Sequence, residues 1–277
     1  MVGAALLMLA VLDPTVGAGS PDPAPTVPAG LPNREVARLA EEEFARGLDS
    51  KNDRNKAIPH FRAAADYFDE LRRRGADNPE LYRNLGNAAL LAEDLPRAVL
   101  SYRRGLRLSP ADAGLRAGLE EARARVAYAS DGGFGRPPDD GRPPWLPRLG
   151  SDWLFLGAAV GYVAASFLLT RWLMVRGRRW LLGGAAAAAL AAGLTALTVF
   201  AVRSEREERE RPLVVISDDG VLLRKGDGPN YPPRYDTPLN KGVEARRLFE
   251  RDGWVQVELS GGEVGWAPRD RLLIDGP

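Results

Sequence analysis

Few residues in this chain are equipped for chemistry. Its 277 residues include one histidine, His60, and no cysteine. A metal site needing two imidazoles or a thiolate is therefore excluded, as is a cysteine nucleophile. His60 falls in a helical stretch with no serine or cysteine nucleophile signature near it. Gly226-x-Gly228 has two glycines of a nucleotide loop but lacks the third, and no βαβ pattern surrounds it to lay a helix N-terminus on phosphates. The acidic pairs Asp139-Asp140 and Asp218-Asp219 stand in turn sequences, where Asp is favoured for turn geometry and implies no catalytic partner. The expectation is a protein that is not an enzyme and needs no cofactor or metal.

Charge gives no further lead. The chain carries 38 Lys+Arg against 37 Asp+Glu, so no overall field draws nucleic acid or an acidic substrate. Without cysteine, the redox compartment is not marked. Hydropathy is more informative, because polar ends flank a very apolar middle.

Residues 1–18 read as a secretion signal: Gly3 to Leu12 is too short to span a bilayer, and small residues Val16-Gly17-Ala18 precede a plausible cleavage point. No Lys or Arg precedes the apolar run, which departs from the usual signal pattern. Residues 19–32 are proline-rich and read as a stiff linker. From 33 to 127 the apolar residues follow helical spacing, predicting helices near 33–49, 54–74, 79–92, 95–107 and 111–127. Asn78-Pro79 and Ser109-Pro110 each set a capping side chain before a proline suited to the first helical turn. A Pro/Gly-rich linker, 128–151, ends this region.

Two charge-poor segments follow, at 152–175 and 180–202. Their uncharged cores of roughly 18 and 23 residues rise about 27 and 34 Å as helices, enough to cross a hydrocarbon layer of about 30 Å. The run Ala185 to Leu197 is apolar on every face, which a globular core rarely tolerates. Trp153, Trp172 and Trp180 stand at the ends, where indole prefers the membrane interface. The connection, 176–179, is crowded with Arg176, Arg178 and Arg179, with Arg171 just before it. Such a loop is expected in the cytoplasm, which sends both flanks to the opposite side. Arginines in the charged linker 203–211 compete with that reading, alternating with Glu205, Glu207, Glu208 and Glu210. Gly157-x3-Gly161 permits close helix packing, either within this hairpin or between copies.

The last segment, 212–277, has short β-like runs at 213–216, 221–223, 243–245, 254–257 and 264–267, separated by Gly/Asp/Asn turns. Five strands in that length predict a small barrel.

Two module patterns are recognisable. Tyr82-x2-Leu85-Gly86-x2-Ala89, then Ala98-x3-Tyr102, then Pro110, resembles a tetratricopeptide (TPR) repeat. In that pattern Gly86 and Ala98 are small where two helices approach, Leu85 and Tyr102 fill the space beside them, and Pro110 ends the second helix. A degenerate upstream repeat (Phe44, Ala45, Ala57, Ile58, Phe61, Ala64) departs from it through Pro59 and a longer spacing. The resemblance implies a partner groove on the first helix of each repeat. Arg83 and Asn87 share one helix face with Asn84 beside them, near where carboxylate-binding TPR proteins hold a partner's acidic group. Residues 212–277 resemble bacterial SH3 domains through Val221 to Arg224, Gly228-Pro229-x-Tyr231, Asp252-Gly253-Trp254 and Val264-Gly265-Trp266. That likeness implies that Trp254 and Trp266, with Gly265, are structural and fill the barrel; a ligand platform is the other reading of the tryptophans. Tyr231 and Tyr235, in the long loop, are surface candidates for ligand contact.

The order of parts resembles the BatE-type proteins of bacterial aerotolerance operons. The implied fold class is multi-domain: TPR α-hairpins, a two-helix transmembrane hairpin and an SH3-like barrel. The implied function is that of a protein–protein interaction scaffold in the cytoplasmic (inner) membrane. Its domains lie outside the cytoplasm and its partners include von Willebrand A-domain proteins and a MoxR-type ATPase. Peptidoglycan peptide binding through the SH3-like part is the alternative.

Overall fold

Four of the first five helices begin at a side-chain cap. Asp53, Asn78, Asp94 and Asp112 accept hydrogen bonds from the backbone N–H of Lys56, Leu81, Arg97 and Leu115, satisfying donors that a helix start leaves open. The resulting elements are α1 (Asn33–Asp49), α2 (Arg54–Arg73), α3 (Pro79–Leu91), α4 (Leu95–Leu108) and α5 (Ala113–Ala124). Helix α5 starts later than expected. Asp112 caps it, while Ser109 closes α4 instead.

The computed structural model describes residues 30–129, 134–137 and 151–275. The expected signal segment and most of both proline-rich linkers lie outside the described residues.

Helices α1 and α2 form one hairpin, α3 and α4 a second, and α5 packs on α4 and α3. Close approach in each hairpin depends on one glycine. A Cβ on Gly86 would stand 2.6 Å from the Tyr102 ring, and one on Gly47 would stand 2.6 Å from the Phe61 ring. The same glycine-on-aromatic contact thus recurs in both hairpins. Pro59 lies inside α2 without ending it.

Helices α6 (Ser151–Val175) and α7 (Arg178–Glu210) are both long and apolar enough to cross a membrane. They pack on each other, and the two residues between them turn through Arg176 at φ +54°. Gly157 and Gly161 face the partner helix: a Cβ on Gly161 would meet that of Ala191 at 3.1 Å, and one on Gly157 would meet Leu194. Two expectations are corrected here. The turn spans 176–177, and 203–210 is helix, not a linker. No glycine or proline interrupts 194–211, and alternating Glu and Arg favour helix, so α7 runs on until Pro212 approaches.

The C-terminal strands are β1 (Leu213–Ile216), β2 (Glu244–Arg251), β3 (Trp254–Glu258), β4 (Val264–Pro268) and β5 (Leu272–Ile274). They form one antiparallel sheet in the order β4-β3-β2-β1-β5. The sheet is open, so the closed barrel expected from the strand count does not form. Val221 to Arg224 is not a strand but makes isolated bridges to Leu239, Pro233 and Trp266. Glycines on both sides and Pro232-Pro233 opposite remove the donors and regular geometry a ladder needs. The unforeseen strand is β5, which pairs with β1.

The helices and the sheet share a core. Val36, Leu85, Val99, Tyr102 and Leu115 belong to the same buried apolar cluster as Val214, Val215, Val255 and Val257. Helix α4 touches both β1 and β5.

Candidate functional site

Two of the three polar residues proposed on α3, Arg83 and Asn87, are bonded to neighbouring helices. Arg83 donates from its guanidinium to Asp112 at 2.7 Å, tying α3 to the cap of α5. Asn87 accepts a hydrogen bond from the Tyr102 hydroxyl at 2.7 Å through Oδ1. Burial raises the pKa of that hydroxyl well above the ordinary phenol value, keeping it a donor. Asn84 is half-buried beside them. Tyr82 and Leu85 are buried, Ala98 is fully so, and Pro110 follows α4 in the turn, where its carbonyl accepts from Arg116 at 2.7 Å. Arg83 and Asn87 thus already have partners inside the fold, so an incoming carboxylate would have to compete with Asp112 for the guanidinium.

The sheet carries a different surface. Along β3, Val255 and Val257 face the core while Trp254, Gln256 and Glu258 face outward, as strand alternation requires. On β4, Ala267 and Gly265 are buried, and Val264, Trp266 and Pro268 face outward. The barrel-filling role expected of the two tryptophans is corrected accordingly: both rings are half-buried on the outer face, because their positions fall in the outward phase of their strands. Gly265 is tightly placed, since a Cβ there would stand 2.7 Å from Leu223.

Phe249 joins them across the sheet. Register aligns Phe249 with Gln256 and Gln256 with Trp266, and the Phe249 and Trp266 rings meet edge-on at 6.2 Å. Arg224 lies over Trp254 at 6.0 Å and donates to the Tyr231 carbonyl at 2.6 Å. Phe249 is 56 % exposed and Tyr231 48 % exposed, so the patch presents aromatic surface to solvent. Tyr231 covers Gly226, where a Cβ would come within 2.6 Å of the ring. Tyr235 lies elsewhere, half-buried against Phe134 at 5.2 Å between ring centres.

The strongest polar arrangement joins the helices to the sheet. Glu244, at the start of β2, is 0 % exposed. It accepts from Arg103 of α4 at 2.7 Å and from Arg123 of α5 at 2.6 Å. Asp275, just past β5, is also buried and accepts from Arg104 at 2.8 Å and Arg107 at 3.0 Å. Each carboxylate therefore meets two guanidinium groups, the compensation a buried charge requires. Near Glu244, Asn240 donates to the Ala127 carbonyl at 2.9 Å and Ser260 donates to that of Arg136. Gly242 allows the closest approach: at φ +90°, its missing Cβ would be 2.6 Å from Val126. Burial, with the Glu244 charge adding to it, pushes the Tyr128 phenol up to about 12.

Sequence reasoning missed this joint. Glu244 sits between Val243 and Ala245, and nothing local tells an acid facing solvent from one facing two arginines more than a hundred residues earlier. The available signal was the run of arginines on α4 at 103, 104 and 107. Among the described residues no group of His, Asp and Glu has metal-site geometry. No protein family, curated protein or solved structure matches this chain.

Proposed function

We propose that this chain is a non-catalytic, membrane-anchored scaffold for protein–protein interaction in the bacterial envelope, of the BatE type. In this reading α6 and α7 cross the cytoplasmic membrane, the Arg-rich turn lies in the cytoplasm, and the folded head stands on the outer side. The helical hairpins act as a short TPR array and the sheet as an SH3-like module. Partners are von Willebrand A-domain proteins and a MoxR-type ATPase.

The observation that carries the reading is the surface of the apolar pair. Trp153 is 73 % exposed and Met174 77 %, and Phe155, Tyr162 and Phe167 are similarly bare. Apolar area left in water costs about 25 cal/mol per Å², and a core helix would cover it. Lipid removes that cost. The joined core adds a constraint, because helices and sheet packed together must occupy one side of any membrane the pair crosses. The scaffold is then one composite body, not two independently tethered modules.

The test is protease treatment of intact spheroplasts followed by crosslinking and mass spectrometry in native membranes. Both the helical part and the sheet should be cut from outside, and crosslinks should reach membrane proteins with von Willebrand A domains. Protection of both parts while an exposed control is digested would refute the arrangement.

A second reading is favoured by the aromatic patch of Phe249, Trp254, Trp266 and Tyr231. Half-exposed rings beside Arg224 suit a peptidoglycan peptide, with its apolar stem and carboxylates. Muropeptide titration of the full chain, monitored by tryptophan fluorescence, decides it; an unchanged spectrum at millimolar ligand rejects it.

A further inference from the structure

The turn between α6 and α7 concentrates positive charge without a counter-charge. Arg171, Arg176, Arg178 and Arg179 are all exposed. Among the described residues none of them has a carboxylate partner; what two of them have is an indole. Arg171 of α6 and Arg179 of α7 each lie 5.6 Å from the centre of the Trp180 ring. Two helices thus bring like charges to one aromatic surface. Their mutual repulsion is relieved when an anion lies between them. The turn brings the others close as well, since Arg176 adopts φ +54° and only Gly177 separates it from α7.

We propose that this Arg–Trp cluster is a binding site for the phosphodiester headgroup of an anionic phospholipid. The inference rests on α6 and α7 forming a membrane hairpin. Guanidinium forks match phosphate oxygens two at a time, and four of them saturate one or two phosphates. Trp172 and Trp180 bracket the turn, at the depth where indole rings and lipid phosphates meet. The ligand is a lipid and not a free anion because of what borders the cluster. Leu173, Met174, Val175, Leu181 and Leu182 are exposed apolar side chains immediately beside the arginines. A ligand that fills this surface must offer acyl chains next to its phosphate. Attraction of basic residues to anionic headgroups is the general physics; the shared indole gives it a location.

The experiment uses the purified full chain in neutral detergent, titrated with dioleoyl phosphatidylglycerol or dioleoyl phosphatidylcholine and read by native mass spectrometry. Wild type should bind the anionic lipid at least about 10-fold more tightly than the zwitterionic one. The double variant Arg171→Gln/Arg179→Gln should lose most of that preference, and changing all four arginines to Gln should abolish it. Lysine at all four positions, which keeps charge but not the planar fork, should retain part of it. Equal binding of the two lipids by wild type, or an undiminished preference in the four-fold Gln variant, overturns the proposal. So does displacement of bound lipid by millimolar inorganic phosphate, which would mark a soluble-anion site. Alkaline carbonate extraction of wild-type membranes separates the two levels. Release of the chain refutes the membrane hairpin itself, whereas retention without lipid preference refutes this site alone.

Discussion

Glu244 and Arg123 stand 121 residues apart in the chain and meet at 2.6 Å, inside a joint where the carboxylate has no exposure to solvent. Arg103 completes the site from α4 at 2.7 Å. Removing Glu244 takes from both arginines an acceptor that is fully buried, and breaking a buried ion pair costs about 3–5 kcal/mol. Glu244→Ala should therefore lower the unfolding free energy of the full chain in detergent by about that amount, measured by denaturant titration. A loss below about 1 kcal/mol would mean that helices and sheet are not held together there.

Gly242 tests the same joint through shape. Its φ of +90° disfavours any side chain, and an added methyl would meet Val126 at 2.6 Å. Backbone strain alone is worth about 1 kcal/mol, and overpacking adds about 1–3 kcal/mol. Gly242→Ala should destabilise by the sum, and Val126→Ala should recover part of the packing component. A double-mutant cycle measures this; strict additivity would show that the two residues do not meet.

Alkaline stability depends in part on Tyr128. Its phenol is pushed up to about 12 by burial, against an ordinary value of about 10. Below pH 10 folded and unfolded chains both keep the proton. Between about 10 and 12 the unfolded chain releases it while the folded chain holds it, so stability falls as pH rises through that window. Tyr128→Phe should remove this share of the decline, seen by comparing denaturation midpoints at pH 9 and 11. Among the described residues its hydroxyl has no hydrogen-bond partner, so near pH 7 the variant should be as stable as wild type or slightly more so. An unchanged alkaline slope would contradict the assignment.

The apolar pair offers a direct geometric check. A Cβ on Gly161 would stand 3.1 Å from that of Ala191, a few tenths of an ångström short of the roughly 3.5–4.5 Å a disulfide bridges and within reach of a small helix shift. Since the chain has no native cysteine, Gly161→Cys/Ala191→Cys should oxidise to a monomeric crosslinked species on non-reducing gels. Dimers instead of crosslinked monomers would place this face between copies.

Local chemistry made much of the fold legible. Asn78-Pro79 marks the start of α3 to the residue, and the helical period locates α1 to α4 within a residue at either end. The ends of α7 and α5 were less clear, because helix continues through polar residues when no breaker intervenes, and because Asp112 competes with Ser109 as a cap. Strand alternation gave Val255 and Val257 an inward phase but did not show which face of the sheet the helices would cover. That choice decides the exposure of Trp254 and Trp266. Buried pairs such as Arg104 with Asp275 leave no periodic trace, since their cause is the arrangement of distant elements. The polar trio on α3 had a plausible pattern, yet Arg83 and Asn87 serve neighbouring helices first.

Helix α7 runs unbroken for 33 residues, roughly 50 Å, and only Arg211 and Pro212 separate it from β1. Because β1 is an inner strand of the sheet and rests on α4, the helix is coupled to the middle of the folded body and not to a loose edge. It acts as a stiff mast. A lean or twist imposed on its apolar foot swings the whole upper mass with it, leaving only two residues of slack to absorb the movement.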